Sequence, residues 1–578
     1  MKQTWLFAEN RNGVSQRRRS LRTLCSEVVL LLTSAFVLSM AFPSFLSKNG
    51  LGFLAVIALI PVFAVIKNTT WTAAGFYGFL YGFVYYRIFN YWLSAFHPLA
   101  NLIVQIIKGT EMVFLFLSLK SASEWVSGKY SHILQSFIWV AYSYLSQSWF
   151  AGYPYGTVAY AFANYRLLIQ IASICGIWGL NFLIIFPQAL VGRWLGDLWR
   201  TGTVTEKPFR EFIRKNRISL YVYAALVVFQ IVFGIVSLAK WSDAKPDRTV
   251  KIATVQHNAD SWAGGYATYE KNFHNLQRMS LQSLSEKPDM IVWSETAFVP
   301  SVNWYTKYPY TGTDSGASFD YLRKIQVLVD EFVDFATGLG IPLLTGNPSG
   351  EIHDASLPPY DENGDWNKDD YNSVILFENG GISDIYLKQH LVPFTEHFPY
   401  EKQLPHMYRF LKDHDYHWWK EGKESTVFTL SDGLRFSTPV CFEDIFGYLC
   451  AGFVRCGADL LVNMTNDSWS GSVAAERQHS AMAVFRAVET RKTVLRGTNS
   501  GITCLITPDG KVAGEMEPFT MGWKTWDVPV FTTETYGTTI YTKVSDVTAE
   551  ICVYIALAGL VAAALSVGIN KCKKEKKE

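Results

Sequence analysis

The chain has 578 residues, of which 49% are apolar and 15% aromatic, whereas only 18% are charged. This balance is too apolar for an ordinary soluble enzyme and too charged for a chain that lies in a membrane throughout. The formal net charge of +2 argues against a nucleic-acid partner, which usually requires a strongly basic surface.

Apolar runs long enough to cross a bilayer, about twenty residues each, occur eight times. They lie near residues 24–41, 51–67, 72–95, 102–120, 133–150, 167–193, 218–240 and 549–569. Seven runs precede one long polar stretch and the last run follows it. The sequence therefore predicts a transmembrane domain of seven helices over residues 1–240, a further transmembrane helix at 549–569 and a basic tail at 570–578.

Basic residues indicate which side of the membrane each segment occupies, because cytoplasmic segments carry an excess of Lys and Arg. They collect before the first run, between the sixth and seventh runs and after the last run, at Lys2, Arg11, Arg17–Arg19, Arg22, Arg193–Arg217 and Lys571–Lys577. Eight crossings place all three segments on one side. We therefore expect both termini in the cytoplasm and residues 241–548 outside it. Within the fourth of these apolar runs, Lys108 and Glu111 are spaced to pair on one helix face.

The polar stretch alternates short β-type runs with helix-like runs, which is typical of an α/β domain. Predicted strands lie at 250–255, 289–293, 342–346, 373–377, 382–386, 435–440, 459–463, 493–496 and 503–507. Predicted helices lie at 269–285, 321–338 and 474–491, and Asn379-Gly380-Gly381 predicts a tight hairpin turn. We expect one domain over residues 247–535, with helices covering the faces of a sheet.

The eight cysteines do not form a disulfide framework. Buried free thiols are the favoured interpretation of Cys450 and Cys456, with a bridge between them as the alternative. No Cys and His spacing matches a zinc site, so no metal is expected.

Polar residues accumulate where the predicted strands end, a common place for a site. Glu295, Lys388 and Cys441 each follow a different strand. Alone, the first two would be solvated surface and the third a small buried hydrophobe. Together they complete one mechanism: a carboxylate can take the thiol proton, and an ammonium can stabilise the thiolate and an oxyanion.

Longer motifs surround these three residues. Trp293–Ala297 (WSETA), Lys388–Phe394 (KQHLVPF) and Cys441–Glu443 (CFE) resemble the Glu-Lys-Cys signatures of the carbon-nitrogen hydrolase, or nitrilase, superfamily. Asn466–Trp469 (NDSW), Gln478-His479 and Thr498–Gly501 (TNSG) narrow the resemblance to its membrane branch, the apolipoprotein N-acyltransferase family. Gly152-Tyr153-Pro154 and Gln170-Ile171-Ala172 are similar to that family's intramembrane pattern.

The resemblance implies a membrane α-helical bundle of eight transmembrane helices carrying an αββα sandwich. It also implies ping-pong acyl transfer. The Cys441 thiol would attack the sn-1 ester of a phospholipid, Glu295 would take its proton, and Lys388 would stabilise the tetrahedral intermediate. The acyl chain would then pass from a thioester to the α-amine of the S-diacylglyceryl-cysteine at a lipoprotein's N-terminus.

The expected partners are thus a phospholipid donor, a diacylated apolipoprotein acceptor and the bilayer, with no cofactor and a monomeric protein. The expected location is a bacterial inner membrane, with the catalytic domain on the periplasmic side.

The resemblance also assigns roles to neighbouring residues. Glu396 and Glu443 match carboxylates that support the site, by holding Lys388 and by shaping the environment of the thiol. Further residues are expected on the substrate side: Phe442, Asn466, Trp469 and the Trp418-Trp419 pair. This pair belongs to one of two loops rich in aromatic residues, Trp304–Tyr310 and Met407–Trp419. Packing onto the domain is the favoured interpretation of these loops and anchoring at the membrane surface the alternative, and we suggest as a hypothesis that one of them is a lid over the acyl chain.

The sequence departs from the family pattern at four positions. Ser294 stands where Pro is common, Phe442 where Tyr is common, Ser470 where an aromatic residue is usual and Thr395 where Gly is usual. None removes a group of the proposed chemistry; they affect only details on the substrate side.

Two alternatives stay open from the sequence. A membrane-tethered amidase or nitrilase-type hydrolase would use the same Glu-Lys-Cys site and pass its acyl group to water. A catalytically inactive membrane scaffold would present the domain for binding, although the presence of all three catalytic residue types argues against it.

Overall fold

The computed structural model describes residues 21–148, 152–201, 206–313, 315–412 and 418–575. The chain divides into two compact units, Met1–Lys240 with Val544–Glu578, and Trp241–Lys543. Of the basic residues used to predict the topology, those before position 20, Lys576 and Lys577 lie outside the described residues.

The first unit consists of helices. Five of its described helices are long and apolar enough to cross a membrane: Leu21–Ala41, Pro98–Trp125, Ala172–Thr201, Glu206–Ser242 and Val547–Glu575. Shorter helices lie at Ile60–Asn68, Trp71–Phe89, Leu93–Phe96, Ser131–Ser148 and Arg166–Ile169, with 3₁₀ turns at Gly52–Val56 and Val158–Phe162. Each of the eight predicted runs coincides with helical structure, while the count of eight crossings stays a prediction.

The predicted run at 51–67 is not one continuous helix. It comprises the 3₁₀ turn Gly52–Val56 and the helix Ile60–Asn68. Pro61 lies in the first turn of that helix, where its missing N–H breaks no helical hydrogen bond and its fixed φ favours helix initiation. The segment therefore starts a new helix where the apolar pattern alone indicates an uninterrupted one.

Close packing and a buried ion pair hold this unit together. A Cβ atom at Gly78 or Gly82 would lie 2.4 and 2.8 Å from carbonyl oxygens of the helix Pro98–Trp125, so these glycines permit the close approach typical of membrane helices. The predicted pair forms: Lys108 Nζ lies 3.0 Å from Glu111 Oε2, and Ser146 Oγ donates to the same oxygen at 2.8 Å. Both side chains have internal partners, which indicates a structural role.

The described residues of the second unit form fourteen strands. In chain order they are β1 (Arg248–Gln256), β2 (Met290–Val292), β3 (Leu343–Gly346), β4 (Ser349–Ile352), β5 (Lys368–Tyr371), β6 (Ser373–Glu378), β7 (Gly381–Leu387), β8 (Phe428–Thr429), β9 (Arg435–Ser437), β10 (Leu460–Thr465), β11 (Thr493–Thr498), β12 (Cys504–Ile506), β13 (Val512–Glu515) and β14 (Gly522–Val530). Two six-stranded sheets have the orders β14-β1-β2-β3-β6-β7 and β13-β12-β11-β10-β9-β8, and β4 pairs with β5.

Helices cover the outer face of each sheet, as the αββα prediction requires. Tyr266–Ser283 and Ala317–Gly338 pack on the first sheet, and Val473–Thr490 packs on the second, with Gly447–Arg455 against it. The inner faces meet closely: a Cβ at Gly497 of β11 would lie 3.2 Å from Val292 Cγ1 of β2. Short helices at Val302–Lys307, Pro405–Lys412, Thr533–Tyr536 and Ile540–Val544 complete the unit.

The predicted strands and helices of this unit are confirmed to within a few residues. The hairpin turn is also confirmed, because Asn379 and Gly380 both have positive φ, 55° and 85°, as a type I′ turn requires. The sequence prediction missed β4, β5, β8, β13 and β14. The longest of these, β14, pairs antiparallel with β1 along nine residues. Cys450 and Cys456 form no bridge; Cys450 is buried, but Cys456 is exposed, contrary to the prediction.

The core under the first sheet yields a stability prediction. The Phe332 side chain is fully buried, and its ring stacks on Phe298 with centroids 4.4 Å apart. Phe332→Ala should lower the free energy of unfolding by about 3 to 5 kcal/mol, because it removes apolar contacts and leaves a cavity. Thermal unfolding of the full-length protein in detergent measures the effect. Val327→Ala, on the same helix but 63% exposed, is the control; equal effects would contradict this assignment of the core.

Candidate active site

The two sheets bring the predicted residues together at strand ends. Glu295 follows β2 and Lys388 follows β7, and both belong to the first sheet. Since β7 is antiparallel to β6, which is antiparallel to β3, it runs in the same direction as β2 and β3. The carboxyl ends of β2 and β7 therefore lie at one edge. Cys441 and Asn466 follow β9 and β10, parallel neighbours in the second sheet.

Lys388 forms the centre of a buried cluster of charges. Its side chain is only 1% exposed, and its Nζ lies 3.2 Å from Glu295 Oε1 and 2.8 Å from Glu396 Oε1. Burial by itself would lower the pKa of Lys388, but the two carboxylates outweigh it and hold that pKa well above its ordinary value. Lys388 is therefore a fixed ammonium.

Asn372 is a member of this cluster that the sequence prediction missed. Its Nδ2 donates to Glu295 Oε1 at 2.8 Å and to Glu396 Oε1 at 2.9 Å. The same two oxygens thus receive hydrogen bonds from both Asn372 and Lys388. Asn372 immediately precedes β6, whose antiparallel direction places its start at the same sheet edge. In the sequence, Asn372 is marked only by its place immediately before the predicted strand at 373–377.

Backbone amides hold the second oxygen of each carboxylate. Asn466 N donates to Glu295 Oε2 at 2.9 Å, and Val392 N donates to Glu396 Oε2 at 2.8 Å. Both carboxylates therefore have fixed orientations, with the amide of the loop after β10 binding Glu295.

Cys441 opens the 3₁₀ turn Cys441–Ile445 and has a left-handed backbone, with φ of 48°. This conformation is unfavourable for a residue with a Cβ and often marks functional positions. Burial and the charge of Glu295 raise the pKa of Cys441 well above its ordinary value, against an opposing effect of Lys388. The resting thiol is therefore protonated, and it needs a base to become a nucleophile.

Glu443 connects the loop after β7 with the turn that carries Cys441. Its Oε1 accepts hydrogen bonds from the Tyr386 hydroxyl and the amides of Gln389 and His390, at 2.8, 2.7 and 3.0 Å. Its Oε2 accepts from Val440 N at 2.7 Å. Burial raises the pKa of Glu443 to about 7, although these donors oppose the shift.

A second buried cluster lies behind Cys441. His479 Nε2 is 2.9 Å from Asp444 Oδ1, and its Nδ1 is 3.0 Å from both Asp467 oxygens. Arg496 also donates to Asp444 and lies 3.6 Å from Asp467 Oδ2. Two carboxylates are thus matched by two cations. The two aspartates raise the pKa of His479 to about 10 against the opposing effect of burial.

The predicted substrate-side residues occupy different environments. The Asn466 side chain accepts hydrogen bonds from Ser261, Ser468 and Asn499, each 2.9 Å away, so it braces the loop. Phe442 is buried, with its ring centroid 5.2 Å from that of Phe446.

The remaining three predicted residues are tryptophans. Trp469 is half-buried in the 3₁₀ turn Ser468–Ser470. Trp418 packs on Phe398, and Trp419 N donates to Glu396 O at 2.8 Å. Residues 413–417 of the loop Met407–Trp419 lie outside the described residues.

The arrangement suits nucleophilic chemistry on a carbonyl. A thiol, a carboxylate and a fixed ammonium interact electrostatically, and these are a nucleophile, a base and a group able to stabilise an oxyanion. Among the described ranges, no group of three or more His, Cys, Asp and Glu has an arrangement suited to a metal ion.

Family models match both parts of the chain. Residues 34–190 match the model described as the apolipoprotein N-acyltransferase N-terminal domain, and residues 251–537 match the carbon-nitrogen hydrolase model.

Individual relatives match along most of their length. "Apolipoprotein N-acyltransferase 1" of Treponema denticola is 35% identical over 92% of this chain and 95% of its own. The Treponema pallidum protein of the same description is 33% identical over 88% and 91%, and "Apolipoprotein N-acyltransferase" of Borreliella burgdorferi is 28% identical over 91% and 93%. The solved structure of an amidase from Nesterenkonia sp. has a TM-score of 0.32 and 18% identity, covering 48% of this chain and 90% of its own.

From the buried charges of Lys388, Glu295 and Glu396 we predict how the reactivity of Cys441 changes. Lys388→Met should slow alkylation of Cys441 by chloroacetamide about tenfold or more, because loss of the ammonium raises the thiol pKa further. Mass spectrometry of the Cys441 peptide measures the rate, and thermal unfolding confirms that the variant is folded. Lys324→Met, which removes an exposed lysine, is the control. An unchanged rate in folded Lys388→Met protein would refute the electrostatic role.

Proposed function

The chain belongs to the apolipoprotein N-acyltransferase family, and on this premise we propose how its site carries out acyl transfer. The observation that carries the proposal is the contact of Lys388 Nζ with both Glu295 and Glu396, beside a thiol that interacts with Glu295 and Lys388. The three side chains supply the base, the oxyanion partner and the nucleophile.

In the first half-reaction Glu295 takes the proton of Cys441, and the thiolate attacks the sn-1 ester carbonyl of a phospholipid. The Sγ–C bond forms, and the negative charge that develops on the carbonyl oxygen is stabilised by Lys388. The carbon–oxygen bond to glycerol then breaks, and the alkoxide takes the proton from Glu295. Lysophospholipid leaves, and the acyl chain remains on Cys441 as a thioester.

In the second half-reaction the α-amine of the N-terminal diacylglyceryl-cysteine of a lipoprotein attacks the thioester. Glu295 accepts a proton from the amine, Lys388 again stabilises the oxyanion, and the C–S bond breaks to give an amide. The thiolate then recovers the proton. Glu396 and Asn372 orient Lys388 and Glu295 through both steps, and Glu443 holds the loop after β7 against the Cys441 turn.

We place the catalytic unit on the periplasmic side of a bacterial inner membrane, with both termini in the cytoplasm. Basic residues between the predicted sixth and seventh spans and in the C-terminal tail support this placement. So do the apolar helices that precede and follow the second unit along the chain.

The covalent step gives a direct prediction. Incubation of the purified protein with phospholipid alone should add one acyl chain to the Cys441 peptide, and a diacylated lipopeptide should remove it as the triacylated product. Cys441→Ala should abolish the adduct. Glu295→Gln should slow its formation by about a hundredfold or more, since general base catalysis typically contributes that much. Mass spectrometry of peptide and lipopeptide gives both readouts.

Cys456→Ala is the matched control, because Cys456 is an exposed free thiol in the same unit. An adduct on another cysteine would refute the assignment of the nucleophile. An adduct lost to water as fast as to the lipopeptide would indicate a hydrolase, and no adduct at all would indicate a scaffold.

The topology predicts opposite labelling of two exposed cysteines, Cys456 and Cys572. In variants that keep only one of them, a membrane-impermeant maleimide added to spheroplasts should label Cys456, because the second unit is placed outside the cytoplasm. Cys572 should react only after the membrane is permeabilised. Labelling of Cys572 in intact spheroplasts would contradict the proposed orientation.

A further inference from the structure

His479 has both ring nitrogens directed at carboxylates on two different segments. Asp444 lies in the 3₁₀ turn that Cys441 opens, and Asp467 lies in the loop after β10. The distances are 2.9 Å from Nε2 to Asp444 and 3.0 Å from Nδ1 to Asp467. The imidazole, 3% exposed, therefore bridges these two segments from within the domain.

The bridge requires a protonated imidazole. A neutral ring has one N–H and one lone pair, so one nitrogen would direct its lone pair at a carboxylate oxygen; only the imidazolium donates from both nitrogens. The charged groups that face His479 are Asp444, Asp467 and Arg496. Glu476, on the same helix, is also buried, and burial and the charge of Asp467 raise its pKa well above the ordinary value.

Both segments that His479 connects are close to residues of the proposed reaction, Cys441 and Glu295. Asp444 is three residues from Cys441 in one short turn. Asp467 follows Asn466, whose backbone N–H holds Glu295 Oε2 at 2.9 Å. Thr465 interacts with the thiol, and its hydroxyl donates to Asp467 Oδ1 at 3.2 Å. The distance between nucleophile and base is thus set by two segments that His479 connects.

We propose that His479 is a positioning residue for acyl transfer, a charged bridge that fixes the Cys441 turn relative to the loop that orients Glu295. This role rests on the proposed function, since it concerns the same thiol and carboxylate. His479 touches no reacting atom. Its effect is on the geometry of proton transfer, where a small displacement can slow a reaction about a hundredfold.

Two substitutions of His479 each keep one of its two hydrogen bonds to carboxylates and remove the other. The Asn amide can reproduce the Nδ1 contact with Asp467, and the Gln amide can reproduce the Nε2 contact with Asp444, but neither spans both or carries a charge. His479→Asn and His479→Gln should each slow thioester formation on Cys441, at saturating phospholipid, by about tenfold to a hundredfold. The half-saturating phospholipid concentration should change by less than about twofold, because no lipid contact is lost.

His274→Asn is the matched control, since His274 also contacts a carboxylate, Glu331, at 3.1 Å but is exposed. Thermal unfolding establishes the folded fraction of each variant. A wild-type rate of thioester formation per folded molecule in both His479 variants would overturn the proposal. So would a rate that falls only in proportion to the loss of folded protein, because that result indicates a purely structural histidine.

Two measurements keep the proposal testable if the variants do not fold or if acyl transfer itself fails. In the unaltered full-length protein, ¹⁵N NMR should show one histidine with both nitrogens protonated at about pH 8.5, far above the usual range for imidazole; no such histidine would overturn the bridge. Alkylation of Cys441 by chloroacetamide needs no lipid, and in folded variants its pH profile should move to higher pH as a cation is lost. Absence of any acyl adduct in unaltered protein counts against the proposed function alone.

Discussion

A buried ammonium between two carboxylates is the constraint on which the active site depends. The Lys388 ammonium has almost no exposure to water, and an unpaired charge in that position would cost several kcal/mol. Glu295 and Glu396 offset this cost, but together they leave the cluster with one excess negative charge. Burial, together with this excess, raises the pKa of the Cys441 thiol and keeps it protonated. In the proposed mechanism, transfer of its proton to Glu295 leaves the total charge unchanged, so the first step moves no net charge into or out of the buried site.

The two sheets make distinct contributions. The first sheet places Glu295, Lys388 and Asn372 at one of its edges. The second sheet supplies Cys441 and the loop that begins at Asn466, which follow β9 and β10. A complete site therefore requires the sandwich itself. Glu443 and the backbone amide of Asn466 connect the contributions of the two sheets, which explains why polar groups are buried at this end of the domain.

The sequence predicted the parts of the fold that have strong periodicity or turn chemistry. The buried strands β1, β3, β6 and β10 have apolar runs, and the Asn379-Gly380 turn has residues that accept positive φ. β14 was missed because Lys524, Asp527 and Pro529 interrupt its apolar pattern. The residues 51–67 were predicted as one helix because composition does not show where Pro61 starts a new one.

Sequence patterns also identify only some residues of the active site. Glu295, Lys388 and Cys441 could be selected because their residue types complete a reaction and match family motifs. Asn372 could not, since a single asparagine before a strand has no distinguishing pattern until the sheet order is known. The place of Asn466 on the substrate side stays a prediction, and no sequence pattern indicates that its side chain braces a loop and its backbone binds Glu295. Hydrogen-bond partners of this kind depend on tertiary structure.

In the proposed mechanism acylated Cys441 is the intermediate, so the adduct must react with the acceptor at least as fast as the enzyme turns over. Protein acylated by phospholipid is isolated, mixed rapidly with a diacylated lipopeptide, and quenched over time to follow loss of the Cys441 adduct. The account predicts that the adduct decays, with matching formation of triacylated lipopeptide, at a rate at least equal to the steady-state turnover number. Decay slower than turnover would show that the main reaction bypasses the thioester, and would contradict the account.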